Sequence, residues 1–295
     1  MRKLASVVFA LMLLGLSFPK VADVAEIEWL GRISALGGAE SESWRRRTST
    51  ASARSHGLGM AEALGVIPIW GPFGLQLDLN FQGGDGPQVT GYAGPIFDFG
   101  FGKAGVFIER QYNRLGRCAA CDRYRNIHNT WVTPSLSFYD LIPGTNIDLW
   151  HKQIVTGGAM DKDADEGDAN KHYYGYSATR LAVNYFPPPF LPFIGRDNLE
   201  LTLGVQLNGL SGPGHTPVRL GVGPAFGMSV VPVAIAGVPV EWQMFKAFID
   251  NRNRYRVTSG VQVYLSKGTP TLMQLRRKYL EPTNLPGSVS TFYVF

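Results

Sequence analysis

The sequence predicts an all-β fold, an antiparallel transmembrane β-barrel of roughly 10–12 strands. Apolar and polar residues alternate over segments of about ten residues, which is the length of a tilted membrane-spanning strand. Charged residues make up only 17% of the 295 residues, whereas about a quarter is usual in soluble domains. Beyond residue 20, no apolar run approaches the roughly 20 residues that a spanning helix needs. A bundle of membrane helices is therefore excluded.

The N-terminus has the pattern of a secretory signal peptide, which we place at residues 1–22. Arg2 and Lys3 precede a short apolar stretch at residues 4–18. An uncleaved membrane anchor is the alternative, but the stretch is short for that role. Cleavage after Ala22 would remove three basic residues and lower the formal net charge from +5 to +2. The basic charge therefore gives no argument for nucleic-acid binding.

Residues 23–65 form a separate N-terminal segment whose structure the pattern leaves open. Ile27, Trp29 and Ile33 fit a strand over residues 26–35, and a basic, serine-rich stretch follows. The segment could be a periplasmic tail, a plug, or a first strand and loop. A flexible solvated segment is the favoured interpretation. The barrel is accordingly predicted over residues 66–295.

Strand-like alternation is clearest at residues 73–82, where every odd position is large and apolar and every even position is glycine or polar. Because a strand sends successive side chains to opposite faces, such a segment has one apolar and one polar face. A soluble β-sandwich would also alternate, but usually with shorter strands. Equally clear segments lie at residues 199–208, 218–230 and 254–265, and weaker ones at 89–98, 103–111, 131–139, 147–155, 173–185 and 238–248.

The C-terminus ends with Phe295, and Tyr293 and Val289 lie in the same phase. This ending resembles the C-terminal signal of Gram-negative outer-membrane β-barrel proteins of the porin-like kind. The resemblance covers seven residues. It implies that residues 289–295 are the last strand and that Tyr293 and Phe295 are recognised by the barrel assembly machinery. It also implies that the protein is located in the outer membrane, in contact with lipid and lipopolysaccharide.

Connections between strands divide by length. Residues 113–129 and 157–171 are long and polar and should face outward, whereas residues 141–146 form a short turn that should face the periplasm. Residues 186–192 are rich in proline, and residues 266–288 indicate a short helix or linker rather than a strand. With these assignments the terminal strand still needs one more partner.

Chemistry-bearing motifs are few. Cys118 and Cys121 lie in the first long loop and are predicted to form a disulfide; metal binding and redox catalysis are the alternatives. Four arginines of the same loop could bind lipopolysaccharide phosphates, or merely be solvated. Alternating carboxylates at residues 161–168 resemble a calcium loop, but Glu166 stands where glycine is required. No histidine has the serine two residues later that outer-membrane lipid hydrolases use. We therefore expect no enzyme activity, no cofactor and no metal.

The leading functional hypothesis is a porin-like passive channel for small polar solutes. A closed barrel with a structural, adhesive or assembly role is the alternative, because side chains can fill a narrow barrel. A slight basic excess among the inward positions predicts a weak preference for anions. The oligomeric state is left open. The side chains predicted to line the lumen are Gln76, Asp78, Asn80, Lys103, Glu109, Arg180, Glu200, Gln206, Arg219, Arg254, Arg256 and Gln262.

Overall fold

The computed structural model describes residues 26–42, 54–83, 88–115, 125–156, 175–188, 198–211, 221–235, 237–249, 255–266, 268 and 270–281. Within these ranges the chain forms twelve strands and one short helix. None of the helical structure in this described part is long and apolar enough to cross a membrane.

The strands run along the chain without an intervening helix, and the helix follows the last of them. Their bounds are β1 Leu30–Glu42, β2 Arg54–Trp70, β3 Phe73–Gly83, β4 Gln88–Asp98, β5 Gly102–Leu115, β6 Arg125–Tyr139, β7 Thr145–Thr156, β8 Gly175–Tyr185, β9 Leu199–Ser211, β10 Gly221–Ile235, β11 Val238–Ile249 and β12 Tyr255–Leu265. The helix α1 spans Leu272–Arg277.

Each strand pairs with its neighbour in sequence, and β1 pairs antiparallel with β12 to close the barrel. The predicted fold class is thus confirmed, with a strand number inside the predicted range. The predicted boundary at residue 66 is too late, because β1 and most of β2 lie within residues 23–65. In its described residues, 26–42 and 54–65, that segment forms strands, so the favoured interpretation of a flexible solvated segment is wrong for them.

Closure also answers the question of the missing partner. β12 pairs with β1 from Gly31 opposite Leu265 to Ser41 opposite Tyr255, so the described barrel closes without residues 289–295. The last strand of the described sheet is β12, and residues 289–295, which are expected to be the last strand, lie outside the described residues. The assembly-signal prediction for Tyr293 and Phe295 lies outside the described residues, as does the signal peptide.

The two faces of each strand differ as the alternation predicts. Along β3, Gln76 and Asp78 are buried inside the barrel, whereas Leu77 and Leu79 are exposed on the outer face. On β9, Leu203 is 67% exposed and Gln206 is 0% exposed. An outer face of leucine, valine and phenylalanine is suited to contact with lipid. The inner face can be polar because it does not contact lipid.

Short connections gather at one end of the barrel, which we call the short-turn end. Residues 71–72, 99–101 and 140–144 join β2–β3, β4–β5 and β6–β7 there, and Gly144 has a φ of +76°. The predicted turn at residues 141–146 is therefore found, although β7 already begins at Thr145. β5 and β6 reach Leu115 and Arg125, so both extend into the predicted loop 113–129.

Aromatic side chains mark the outer surface at the short-turn end. Trp70 and Phe73 stack with ring centroids 6.1 Å apart, and Phe73 contacts Phe97 at 4.9 Å. Phe99 and Phe101 extend the group around the next turn, 4.8 Å apart. Such a girdle is typical of the level at which a barrel meets the membrane interface.

Close backbone approach at the β1–β12 junction requires glycine. A Cβ atom on Gly38 would lie 2.0 Å from the carbonyl oxygen of Val257, and one on Gly260 would lie 2.2 Å from that of Ala35. On neighbouring Gly37 the nearest atom would be 3.9 Å away. The two crowded glycines therefore let the sheet bend where it closes.

Candidate functional site

The lumen is the candidate site, because it collects the buried polar side chains. Ten of the twelve predicted lumen residues are described, and each is buried inside the barrel. Arg219 and Arg254 lie outside the described residues. The ten that the structure brings together are Gln76, Asp78, Asn80, Lys103, Glu109, Arg180, Glu200, Gln206, Arg256 and Gln262.

Residues 270–281, here called the latch, follow β12 and turn into the lumen at the short-turn end. The helix α1 within it begins with a reciprocal cap: Thr271 Oγ1 accepts from the backbone N–H of Gln274, and Gln274 Oε1 accepts from that of Thr271. Leu275 and Tyr279 lie one turn apart and are buried. The predicted short helix is found, but its position inside the barrel was not foreseen.

An apolar cluster seats the latch against the wall. Leu275, Tyr279 and Leu280 each expose 1% or less. They pack with inward apolar side chains from the neighbouring strands, and this contact removes apolar surface from water. The wall side of the cluster consists of Ile27, Leu30, Leu64, Val66, Tyr92, Ile96, Phe107 and Tyr264.

Arg276 forms the central polar contact of the latch. Its Nε donates to Glu200, and its Nη2 lies 2.7 Å from Oε1 of Glu241. Nη1 donates to the hydroxyl groups of Tyr264 and Tyr279 at 2.6 and 2.7 Å. Burial alone would lower the pKa of Arg276, but Glu200 and Glu241 raise it well above its ordinary value. The guanidinium thus joins α1 to both β9 and β11.

Glu281 makes the opposite kind of contact at the end of the latch. Its carboxylate lies 2.6 Å from Arg32 Nη1 on β1 and 3.4 Å from Lys246 Nζ on β11. Burial alone would raise the pKa of Glu281, but Lys246, Arg276 and Arg32 hold it well below its usual range. Glu281 is therefore ionised and bridges β1 and β11.

Polar side chains also bind the latch backbone directly. Gln76 Nε2 donates to the carbonyl of Leu280 at 2.6 Å, and its Oε1 accepts from the Leu280 N–H at 2.9 Å. Lys103 Nζ donates to the carbonyl of Arg277 at 2.5 Å. These wall residues satisfy backbone groups that would otherwise be buried without a partner.

A second polar layer lies above the latch, toward the long-loop end. Asp78, Trp150 and Arg180 are each five residues from the short-turn end of their strand. Lys152 Nζ lies 2.5 Å from Glu109 Oε1, and Arg256 donates to Gln82 on β3, three strands away. The lumen is thus crossed by contacts at more than one height.

Several buried polar atoms of this layer have no hydrogen-bond partner in the protein. They are both carboxylate oxygens of Asp78, Oε2 of Glu109, Oγ1 of Thr133, Nε1 of Trp150 and Oγ of Ser229. Burying such atoms without a partner costs about 1–3 kcal/mol each. Buried polar groups of this kind are commonly met by water or by a ligand.

Sequence reasoning missed several inward residues that carry these contacts. Arg276 lies in the predicted short helix or linker, where no lumen contact is expected, although Leu272, Leu275, Arg276 and Tyr279 share one helical face. Lys152 and Glu241 lie in phase with the weaker alternating segments and could have been found from that phase. Cys118, Cys121 and the acidic stretch 161–168 lie outside the described residues. Among the described residues, no group of three potential metal ligands occurs.

Comparison with known proteins places the fold. No protein-family model matches the sequence, and the curated proteins gave no match. An outer membrane channel from Pseudomonas putida F1 has a similar structure, with a TM-score of 0.53 at 12% identity, covering 84% of this chain and 100% of that one. This likeness concerns the fold alone.

Other solved structures are more distant. A KdgM porin in complex with disordered oligogalacturonate has a TM-score of 0.40 at 9% identity, covering 77% of this chain and 97% of that one. Outer membrane phospholipase A from Escherichia coli has a TM-score of 0.40 at 10% identity, with coverage of 84% and 95%. The chain therefore has the fold of an outer-membrane β-barrel protein.

Proposed function

We propose that this protein is a channel for small polar solutes whose short-turn end is closed by the latch. The observation that carries the proposal is the second polar layer, where buried side-chain atoms of Asp78, Thr133, Trp150 and Ser229 lack partners in the protein. Water inside the lumen would satisfy them. A barrel that served only as a scaffold would be more stable with such positions filled by paired or apolar side chains.

Charge inside the barrel does not favour one sign of ion. Among the most buried side chains of the described strands, carboxylates and cations are equal in number, and Asp148 adds one half-buried carboxylate, so the expected basic excess is absent from this part of the chain. The carboxylates are Glu62, Asp78, Asp98, Glu109, Glu200 and Glu241, and the cations are Arg32, Lys103, Lys152, Arg180, Lys246 and Arg256. Selectivity would then depend on local arrangement rather than on net charge.

The latch gives the proposed channel a closed state. In bacterial barrels the short turns face the periplasm, so the latch would lie at the periplasmic end. Its contacts reach β1, β3, β5, β9, β11 and β12. Opening would require a shift of this segment. The same contacts favour the second candidate, a barrel that stays closed and has a structural or assembly role.

Single-channel recording in planar lipid bilayers separates the two functions. We expect the full chain to conduct rarely, and Gln76→Ala to increase the open fraction several-fold because it removes both bonds to the Leu280 backbone. Lys278→Ala is the matched control, since Lys278 lies in the same segment and its Nζ pairs with the exposed Glu28 at 2.6 Å. Its open fraction should equal that of the unchanged protein.

The absence of current from both the full chain and Gln76→Ala, with each folded, would contradict the channel. That result would favour the second candidate, a closed barrel with a structural or assembly role.

A further inference from the structure

Four adjacent strands present carboxylates and aromatic rings in alternation to the lumen. Asp78 on β3 is opposite Tyr92 on β4, Tyr92 is opposite Glu109 on β5, and Glu109 is opposite Trp131 on β6. All four side chains are buried. Such a wall offers both the negative charge and the ring faces that attract a cation.

The protein itself occupies one side of this wall with a cation. Lys152 Nζ lies 2.5 Å from Glu109 Oε1 and 4.9 Å from the ring centroid of Trp131. Trp131 is held in place because its Nε1 donates to Gln111 at 2.8 Å. A carboxylate beside an aromatic ring therefore already binds an ammonium group in this lumen.

The other side of the wall has the same groups, and within the described residues no cation donates a hydrogen bond to Asp78. Both carboxylate oxygens of Asp78 and Oε2 of Glu109 have no hydrogen-bond partner, although Asp78 is only 6% exposed. Between the two carboxylates, the Tyr92 ring is fixed by a bond from Gln76 to its hydroxyl at 3.0 Å and by edge contact with Phe107 at 5.1 Å.

Negative charge exceeds positive charge around Asp78. Glu62 and Glu109 act on it as like charges, and Arg32 is the opposing cation. Arg32, however, is bound by Glu62 at 3.0 Å and by Glu281 at 2.6 Å. Glu109 has Lys152. A buried carboxylate without a cation of its own is costly, so a ligand of positive charge would relieve that cost.

We propose that Asp78, Tyr92 and Glu109 bind the ammonium group of a primary amine. The inference rests on the proposed function, because the amine would reach the site through the lumen. A metal ion is disfavoured, since the described residues offer no group of three ligands for one. The ring of Tyr92 favours an organic ammonium over a hydrated inorganic cation.

Isothermal titration of the purified full chain in detergent with n-butylammonium chloride tests the site. We expect saturable binding that weakens about tenfold or more in Asp78→Asn, because a charge-assisted hydrogen bond is lost. Asp148→Asn is the matched control. Asp148 is another carboxylate of the lumen, and Ser137 and Asn184 donate to it. It should bind like the unchanged protein.

Parallel titrations with potassium chloride and sodium butyrate identify the ligand class, and neither salt should give saturable binding. Saturable binding of potassium that competes with butylammonium would overturn the organic ammonium site in favour of an inorganic cation. The site would also be contradicted if the folded full chain showed no saturable binding, or if Asp78→Asn bound equally well. Water or a proton would then be the partner of the Asp78 and Glu109 oxygens.

Two further readouts keep the outcome interpretable. Asp78→Asn should be at least as stable to heat as the unchanged protein, because it keeps the size of the side chain and removes a buried carboxyl group that lies near Glu62 and Glu109, so weaker binding would not reflect unfolding. The titration does not depend on current. Binding without conductance would therefore contradict the channel but support the ammonium site. Conductance without binding would support the channel but contradict the ammonium site.

Discussion

Arg276→Ala is expected to lower the free energy of unfolding by about 3–5 kcal/mol, which is the cost of removing one partner from a buried ion pair. The substitution leaves Glu200 and Glu241 buried without their cation and removes the donors to Tyr264 and Tyr279. Urea-induced unfolding, followed by the heat-modifiable gel shift and by tryptophan fluorescence, measures the change.

Arg277→Ala is the matched control for this prediction. Arg277 is the next residue along the chain, and its ion pair with Asp140 is partly solvent-exposed on both sides. Exposed pairs contribute about 0–1 kcal/mol, so the control should lose little stability. Equal losses in the two variants would contradict the placement of Arg276 inside the lumen.

Leu203→Arg is expected to destabilise the folded barrel by about 2–4 kcal/mol, the cost of an arginine on the lipid face near the bilayer centre. Leu203 is 67% exposed on the outer surface of β9. Folded yield in lipid vesicles and the urea midpoint of the variant measure the effect.

Gln206→Glu tests the opposite face of the same strand. Gln206 lies inside the barrel opposite Arg180 on β8, so a carboxylate there gains a cation as neighbour. We expect it to fold close to the unchanged yield. If Leu203→Arg folds as well as Gln206→Glu, β9 does not face lipid.

The alternation of Phe73 to Phe81 was enough to predict β3, its outer face and its inward Gln76 and Asp78. Strands with large apolar residues on one face can be recognised in this way because the contrast between the faces is strong. The same property explains why ten of the predicted inward residues lie inside the barrel.

For the first two strands the sequence indicates only a possible strand at residues 26–35, and the reason is physical. Their outward positions are small, including Ala35, Gly37, Gly59 and Ala61, so the contrast between the faces is weak. Their inward positions mix Leu36 and other apolar side chains with polar ones. Only pairing with β12 and β3 makes these segments strands, and pairing partners distant in the sequence leave no local signal.

The position of the latch inside the lumen could not be predicted for another reason. Leu272, Leu275, Arg276 and Tyr279 give a helical face, but a six-residue helix has little stability of its own. What fixes it is the arrangement of Glu200, Glu241 and Arg32 on strands far apart in the sequence. The spacing places Arg276 rather than Arg277 on the face of Leu272 and Leu275, but it does not show that the barrel wall buries this face.

Limited proteolysis of the folded protein tests most directly the claim that residues 270–281 close the lumen from inside. Trypsin cleaves after Arg276, Arg277 and Lys278, and cleavage requires the surrounding chain to leave its contacts. We predict that intact-mass analysis shows no cut at these three residues in the folded barrel and cuts at all three after heat unfolding. Rapid cleavage there in the folded barrel would contradict the account.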